Sequence, residues 1–275
     1  VIGSTLGGAS DLLAAGFDYS TTLPTPITAG GSNDTVGAYV ELLSAANNDR
    51  PITRIIVHCR PSGSSAQGDI MLNIAIGGAG SEIDTFKNLW LPSTTTSTEA
   101  VYYFDFMVSI PSGVRISANC QANVASRATT VSLQLSRGGL ASESLNVVDT
   151  IGANTGATEG ITVNTAGTIN TFGAWTELIA STAQNYQDFI VAAHKIGGSM
   201  TGMNQTYDIG IGTAGNEEII YSGQSLKPTT GEEVHGTISP RTGVLIPKGV
   251  RVSARVQSTS TDADGNLDFI LYGVY

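Results

Sequence analysis

Charge is scarce in this chain: 13% of its 275 residues are Asp, Glu, Lys or Arg, against roughly 25% in an average globular protein. What charge there is runs acidic, with 13 Lys and Arg against 23 Asp and Glu for a formal −10, and the basic residues do not cluster. Neutralising phosphates needs a basic stripe, so no direct nucleic-acid partner is expected. No apolar run reaches the length of about 18 residues that a membrane-crossing helix needs, so no membrane insertion is expected. Cysteine is limited to Cys59 and Cys120, too few for a disulfide framework. Cys120 reads as a buried small hydrophobe, and pairing between the two stays open. A serine nucleophile elbow, an HExxH pair and Cys/His metal spacings are all missing. The expectation is therefore a non-enzymatic chain with no cofactor. The opening residues, VIGSTLGGASDLLAAGF, lack the basic start and apolar core of a signal peptide. Removal of a leader stays open, because residue 1 is Val rather than Met.

What the chain does contain is itself, twice. IPSGVRISANCQ at residues 110–121 returns as IPKGVRVSARVQ at 246–257, displaced by 136 positions. TVGAYVELLSA at 35–45 returns as TFGAWTELIAS at 171–181 with the same displacement, and His58 falls opposite His194. LNIAIGGAGSE at 72–82 matches YDIGIGTAGNE at 207–217, displaced by 135. An internal period of this size marks a duplication of one domain-sized unit. The segments read as strands: Val114, Ile116, Ala118 and Cys120 alternate with Arg115, Ser117, Asn119 and Gln121, the period of two that sends one set inward and the other to solvent. Pro111 and Gly113, like Pro247 and Gly249, supply the turn before the strand.

The fold expected is all-β: two tandem, jelly-roll-like antiparallel β-sandwich domains with an extended N-terminal arm. Residues 1–30 have no aligned counterpart and form the arm. Residues 31–137 form the first sandwich, 138–160 a Gly/Ser/Thr/Asn-rich linker, and 161–275 the second sandwich.

Polar residues that recur in both copies are the first place to look for a site. Glu41 with Arg115, and Glu177 with Arg251, read as structural ion pairs, a guanidinium fork against a carboxylate. His58 and His194 read as hydrogen-bonded strand histidines. Tyr39 and Trp175 are a candidate glycan-stacking pair. The Gly-rich GGAGSE and GTAGNE loops are not phosphate loops, since no helix follows them. A single-copy feature, TDADGNLD, spaces Asp262, Asp264, Asn266 and Asp268 at every second position, like the front of a calcium loop. It lacks the bidentate Glu, and an Asp-Gly hairpin is the competing reading.

Taken together, GAYVELL or GAWTELI, DIGIGTAGNEE and IPxGxRxSAxxQ resemble a β-sandwich module of virion proteins from tailed bacteriophages, over residues 31–137 and 161–275. The resemblance implies a jelly-roll-like fold and a place in the virion, with no catalytic residues to carry over. It implies a capsid decoration or cement protein that binds and stabilises the shell through the N-terminal arm. The implied partners are capsid or tail proteins, in a homotrimer or other symmetric oligomer made in the host cytoplasm. Two alternatives stay open: a tail fibre or baseplate component with a host-glycan-binding domain, and a secreted pair of carbohydrate-binding modules.

Overall fold

A computed structural model describes residues 11–18, 23–62, 68–92, 101–138, 147–195, 203–227, 234–259 and 266–275. Among them the regular elements are strands plus one short 3-10 turn, Ala45–Asn47, in several antiparallel sheets with a sandwich-like arrangement. The chain divides into two compact units, the first ending at Val148 and the second built chiefly of Asp149–Tyr275.

In the first unit one sheet runs β2(Phe17–Asp18), β3(Leu23–Thr28), β10(Ala128–Arg137), β5(Ile52–Ser62), β8(Tyr102–Ile110), with β1(Asp11–Ala15) also on β10. The other runs β7(Ile83–Leu91), β6(Ile70–Ile76), β9(Ile116–Ala122), β4(Val40–Leu43). Val57, Phe104 and Leu133 from the one sheet, with Ile74, Phe86 and Ile116 from the other, are fully buried. The rings of Phe86 and Phe106 lie 5.3 Å apart.

The second unit repeats the plan. β12(Ala153–Asn154), β13(Glu159–Val163), β20(Leu267–Val274), β15(Asp188–Lys195) and β18(Val234–Ile238) pair in that order, with β11(Val148–Ile151) also beside β20. A four-stranded sheet runs β14(Thr176–Ile179), β19(Val252–Ser258), β16(Met203–Ile211), β17(Glu218–Lys227). Tyr207 and Phe269 meet edge to face at 5.1 Å in its core.

Two expected boundaries change. The segment read as an arm contains β1, β2 and β3, paired into the first unit, and the segment read as a linker contains β11, β12 and the start of β13. These are equivalent pieces of the two copies. Phe17 opposite Pro24 and Asp18 opposite Leu23 recur as Ala153 opposite Gly160 and Asn154 opposite Glu159, all displaced by 136. Strand pairing uses backbone groups, so side chains in these paired positions drifted apart while their register survived. Arg137 pins the N-terminal strand with a fork to Asp11, 3.0 Å from Nε to Oδ1 and 2.9 Å from Nη2 to Oδ2. Deleting residues 1–30 therefore removes β1, β2 and β3 from the first unit's sheet.

The turn of the repeated IPxG segment is clasped in both copies by different residues. Asn48 Nδ2 donates to the carbonyls of Pro111 and Val114, each at 3.0 Å. In the second unit Thr182 Oγ1 donates to the Pro247 carbonyl at 2.6 Å and accepts from the Val250 N–H at 3.1 Å. Gly113 and Gly249 follow at φ +75° and +82°, the left-handed region that a side chain disfavours. The alternation downstream is only half as expected: in β9 Ser117, Asn119 and Gln121 are as buried as Ile116 and Ala118. Asn119 is tolerated there because it is hydrogen-bonded, Asn73 Nδ2 donating to Asn119 Oδ1 at 3.0 Å while Asn73 Oδ1 accepts from the Asn88 N–H at 2.8 Å.

Candidate functional site

The arginine at the start of the repeated strand makes the same double fork in both units. Arg115 Nε donates to Glu41 Oε2 at 2.7 Å and Nη1 to Glu82 Oε1 at 2.9 Å. Arg251 Nε donates to Glu177 Oε2 at 2.8 Å and Nη1 to Glu217 Oε1 at 2.7 Å. The second acid of each fork was not paired with the arginine in the sequence. Yet Glu82 and Glu217 recur at the end of the Gly-rich loops, which was the available signal. There each closes its loop, accepting from the Gly80 N–H at 2.8 Å and the Gly215 N–H at 3.0 Å. The Gly-rich loop thus presents its amides to its own glutamate.

Its own backbone N–H, and then Arg115 and the Gly80 N–H, hold the Glu82 carboxyl below the usual carboxylate range against the effect of burial. Burial also opposes charge on Glu217, but Arg251 and backbone N–H groups outweigh it and lower its pKa as well. Because both carboxyls titrate lower folded than unfolded, their stabilisation is complete above the unfolded glutamate value and fades as pH falls through the folded values. The Tm should fall from pH 5 towards pH 3, and Glu82→Gln with Glu217→Gln should flatten that fall. An equally steep profile in the double variant would show that other groups carry the acid response.

The two units expose different faces. In the first, the outer face of the sheet containing β1, β10, β5 and β8 is open, and register lays its residues in rows. Leu12, Ser136, Arg54 and Met107 form one row; Ala14, Gln134, Ile56 and Asp105 the next; Ser132, His58 and Tyr103 a third. Leu12 is 81% exposed, Tyr103 53% and Met107 47%. Arg54 closes a fork on Asp105, Nε to Oδ1 at 2.8 Å, so the two central charges cancel. The half-buried ring of His58 meets Tyr103 edge on at 4.8 Å, and burial lowers its pKa although Gln134 partly compensates. His194, its counterpart, is fully buried.

In the second unit the open face belongs to β19, β16 and β17. Gln257, Thr206 and Gln224 form one row, and Arg255, Asp208 and Ser222 the next. Asp208 accepts from Arg255 Nε at 2.8 Å and from the Ser222 hydroxyl at 2.6 Å. The Arg255 Cζ lies 4.3 Å from the centre of the Phe172 ring and 4.6 Å from that of Trp175. The far edge of the Trp175 indole lies over Gly210, where a Cβ would come within 2.8 Å of it. The equivalent positions of the first unit hold Val36, Tyr39, Asn73 and Asn119, and the two asparagines are buried.

Tyr39, paired with Trp175 in the sequence, uses its hydroxyl on Asp84 Oδ1 at 2.8 Å, and burial with that carboxylate raises its pKa to about 12. The two aromatics lie in different units. Asp262 and Asp264 of the aspartate-rich hairpin lie outside the described residues; Asn266 Oδ1 accepts from the Thr165 N–H at 3.0 Å, and Asp268 pairs with His194 across β15 and β20. Cys59 and Cys120 are both buried free thiols, and burial raises each pKa, that of Cys120 to about 12. Among the described residues no helix is long and apolar enough to cross a membrane.

The architecture so defined is a pair of β-sandwich units with one open sheet face each. No family model matches the chain, and no curated protein matches it. Solved structures do match. PNGase F, a glycosylasparaginase from Flavobacterium meningosepticum, aligns over 96% of this chain and 96% of its own at 8% identity and a TM-score of 0.42. The tandem CBM22-1–CBM22-2 domain from Paenibacillus barcinonensis Xyn10C aligns over 100% and 94%, at 11% identity and a TM-score of 0.24. The broad bean stain virus structure aligns over 99% and 90%, at 12% identity and a TM-score of 0.30. All are β-rich, and at these values no residue role passes to this chain. The expectation of a non-enzymatic chain is corrected: the structures matched along its length include glycosylasparaginases, so missing motifs do not exclude an enzyme.

Proposed function

We propose that this protein is a structural component of a bacteriophage virion, a decoration or cement subunit that docks on the capsid shell through the open sheet face of its first unit. The observation that supports this reading is the grouping of exposed Leu12, Tyr103 and Met107 on one sheet face, with the Arg54–Asp105 pair between strands. A sandwich face left to water would carry polar residues at those positions, and large apolar side chains left exposed there are contact points for a partner. Tyr, Met and Arg are also the types enriched at protein interfaces. The chain's scarcity of charge fits burial within an assembly, as a homotrimer or other symmetric oligomer. Shell protein, rather than tail protein, is the partner put forward, and copy number per particle separates the two.

The test mixes purified protein with particles lacking it and measures co-sedimentation. Tyr103→Asp with Met107→Asp should reduce binding at least tenfold while the Tm stays within a few degrees of wild type, because both side chains point away from the core. Undiminished binding by the double variant would sink the docking face.

A further inference from the structure

We infer that the open sheet face of the second unit is a binding site for a neutral polysaccharide chain, read by the rows Gln257–Thr206–Gln224 and Arg255–Asp208–Ser222 beside Trp175. The hydrogen-bonding inventory comes first. The amides of Gln224 and Gln257, the Thr206 hydroxyl, the Trp175 indole N–H and Arg255 Nη1 have no partner among the described residues. Neighbouring strands stand about 4.8 Å apart, so each row presents donors and acceptors at roughly the spacing of the hydroxyls around a sugar ring.

Charge and apolarity then narrow the ligand. Arg255 is neutralised by Asp208, and none of the other row residues is charged, on a chain of net charge −10; an anionic polymer would find no excess positive potential. Neither row carries an aliphatic side chain, whereas the rows of the first unit include Leu12, Ile56 and Met107. A hydroxyl-rich neutral chain satisfies both restrictions. Half-buried Trp175 and Phe172 border the rows, and the Arg255 guanidinium lying over both rings holds them in place, leaving their free edges as the apolar margin of the site.

The duplication supplies the control. The matching strands of the first unit place Asn73 and Asn119 where the second has Asp208 and Arg255, and those asparagines are buried and bonded to each other. The site thus belongs to one copy only. It is independent of the shell-docking face, since no residue is shared.

Two tryptophans make the test direct: Trp90 is 1% exposed, whereas Trp175 borders the proposed site, so a ligand there alters Trp175 emission. The full chain is run on native gels containing neutral polymers (xylan, glucomannan, mixed-linkage β-glucan, dextran), with heparin and shell-protein particles as comparison arms, and tryptophan emission is followed with each. Retardation by a neutral polymer with a change in emission is expected, weakened at least tenfold by Gln224→Ala with Gln257→Ala at unchanged Tm. Failure of every neutral polymer, retention by heparin alone, or loss of particle binding in the double variant would each overturn the proposal. Since Arg255→Ala removes a buried carboxylate's partner, the glutamine variant is the decisive one.

Discussion

Alanine at Gly173 is expected to destabilise the second unit by about 3 kcal/mol or more, roughly 10 °C in its Tm. A Cβ built there falls 2.2 Å from the Asn164 carbonyl oxygen, and the equivalent Cβ at Gly37 falls 1.9 Å from the Thr28 carbonyl oxygen. The obstacle is backbone, not a side chain able to swing away. Retreat is also blocked, because the Gly173 N–H donates to the Val256 carbonyl at 2.9 Å and the Gly37 N–H to the Cys120 carbonyl at 2.9 Å. Alanine must therefore break a ladder bond or displace the strand crossing it. Hydrogen exchange read by mass spectrometry should show faster exchange across β13 and β19 in Gly173→Ala, and across β3 and β9 in Gly37→Ala. Gly31→Ala, with open space at its Cβ, should leave exchange unchanged. Wild-type protection in Gly173→Ala would refute the close approach.

The second large effect is expected from the arginine forks. Arg251→Ala should lower the Tm of the second unit by about 5–10 °C, more than Glu177→Ala does. The asymmetry follows from exposure: the Glu217 side chain is 2% exposed and the Glu177 side chain 48%. Removing the arginine strands an ionised carboxylate that water barely reaches, whereas removing Glu177 leaves a guanidinium still held by Glu217. Arg115→Ala should repeat the pattern in the first unit, where Glu82 is the protected acid. Arg251→Lys should recover little, since an ammonium cannot hold two carboxylates with a planar fork. Equal losses for Arg251→Ala and Glu177→Ala would show that Glu217 carries no special weight.

Much of this was legible in the letters because it rests on local chemistry. The β class followed from alternation and turn residues, and the duplication from a constant displacement between Arg115 and Arg251 and between Gly37 and Gly173. What escaped was whatever the backbone alone preserved. The β2–β3 and β12–β13 pairings share register but not side chains, so these stretches read as an arm and a linker. The expected outward set of β9 escaped for a different reason: alternation tells which residues share a face, not whether that face meets water. The equivalent positions Tyr39 and Trp175 meet different surroundings. The phenol bonds Asp84, and the indole lies under Arg255.

By itself, then, the sequence determined the strand grammar, the twofold repeat and the first carboxylate of each recurring fork, since each depends on residues near in sequence or matched at one displacement. The tertiary structure alone decided which faces stay open. It left Leu12, Tyr103 and Met107 exposed on the first unit and Ser222 and Gln224 exposed on the second, while burying Asn73 and Asn119. Exposure is a property of what packs against a strand from distant parts of the chain, and no period of two encodes it.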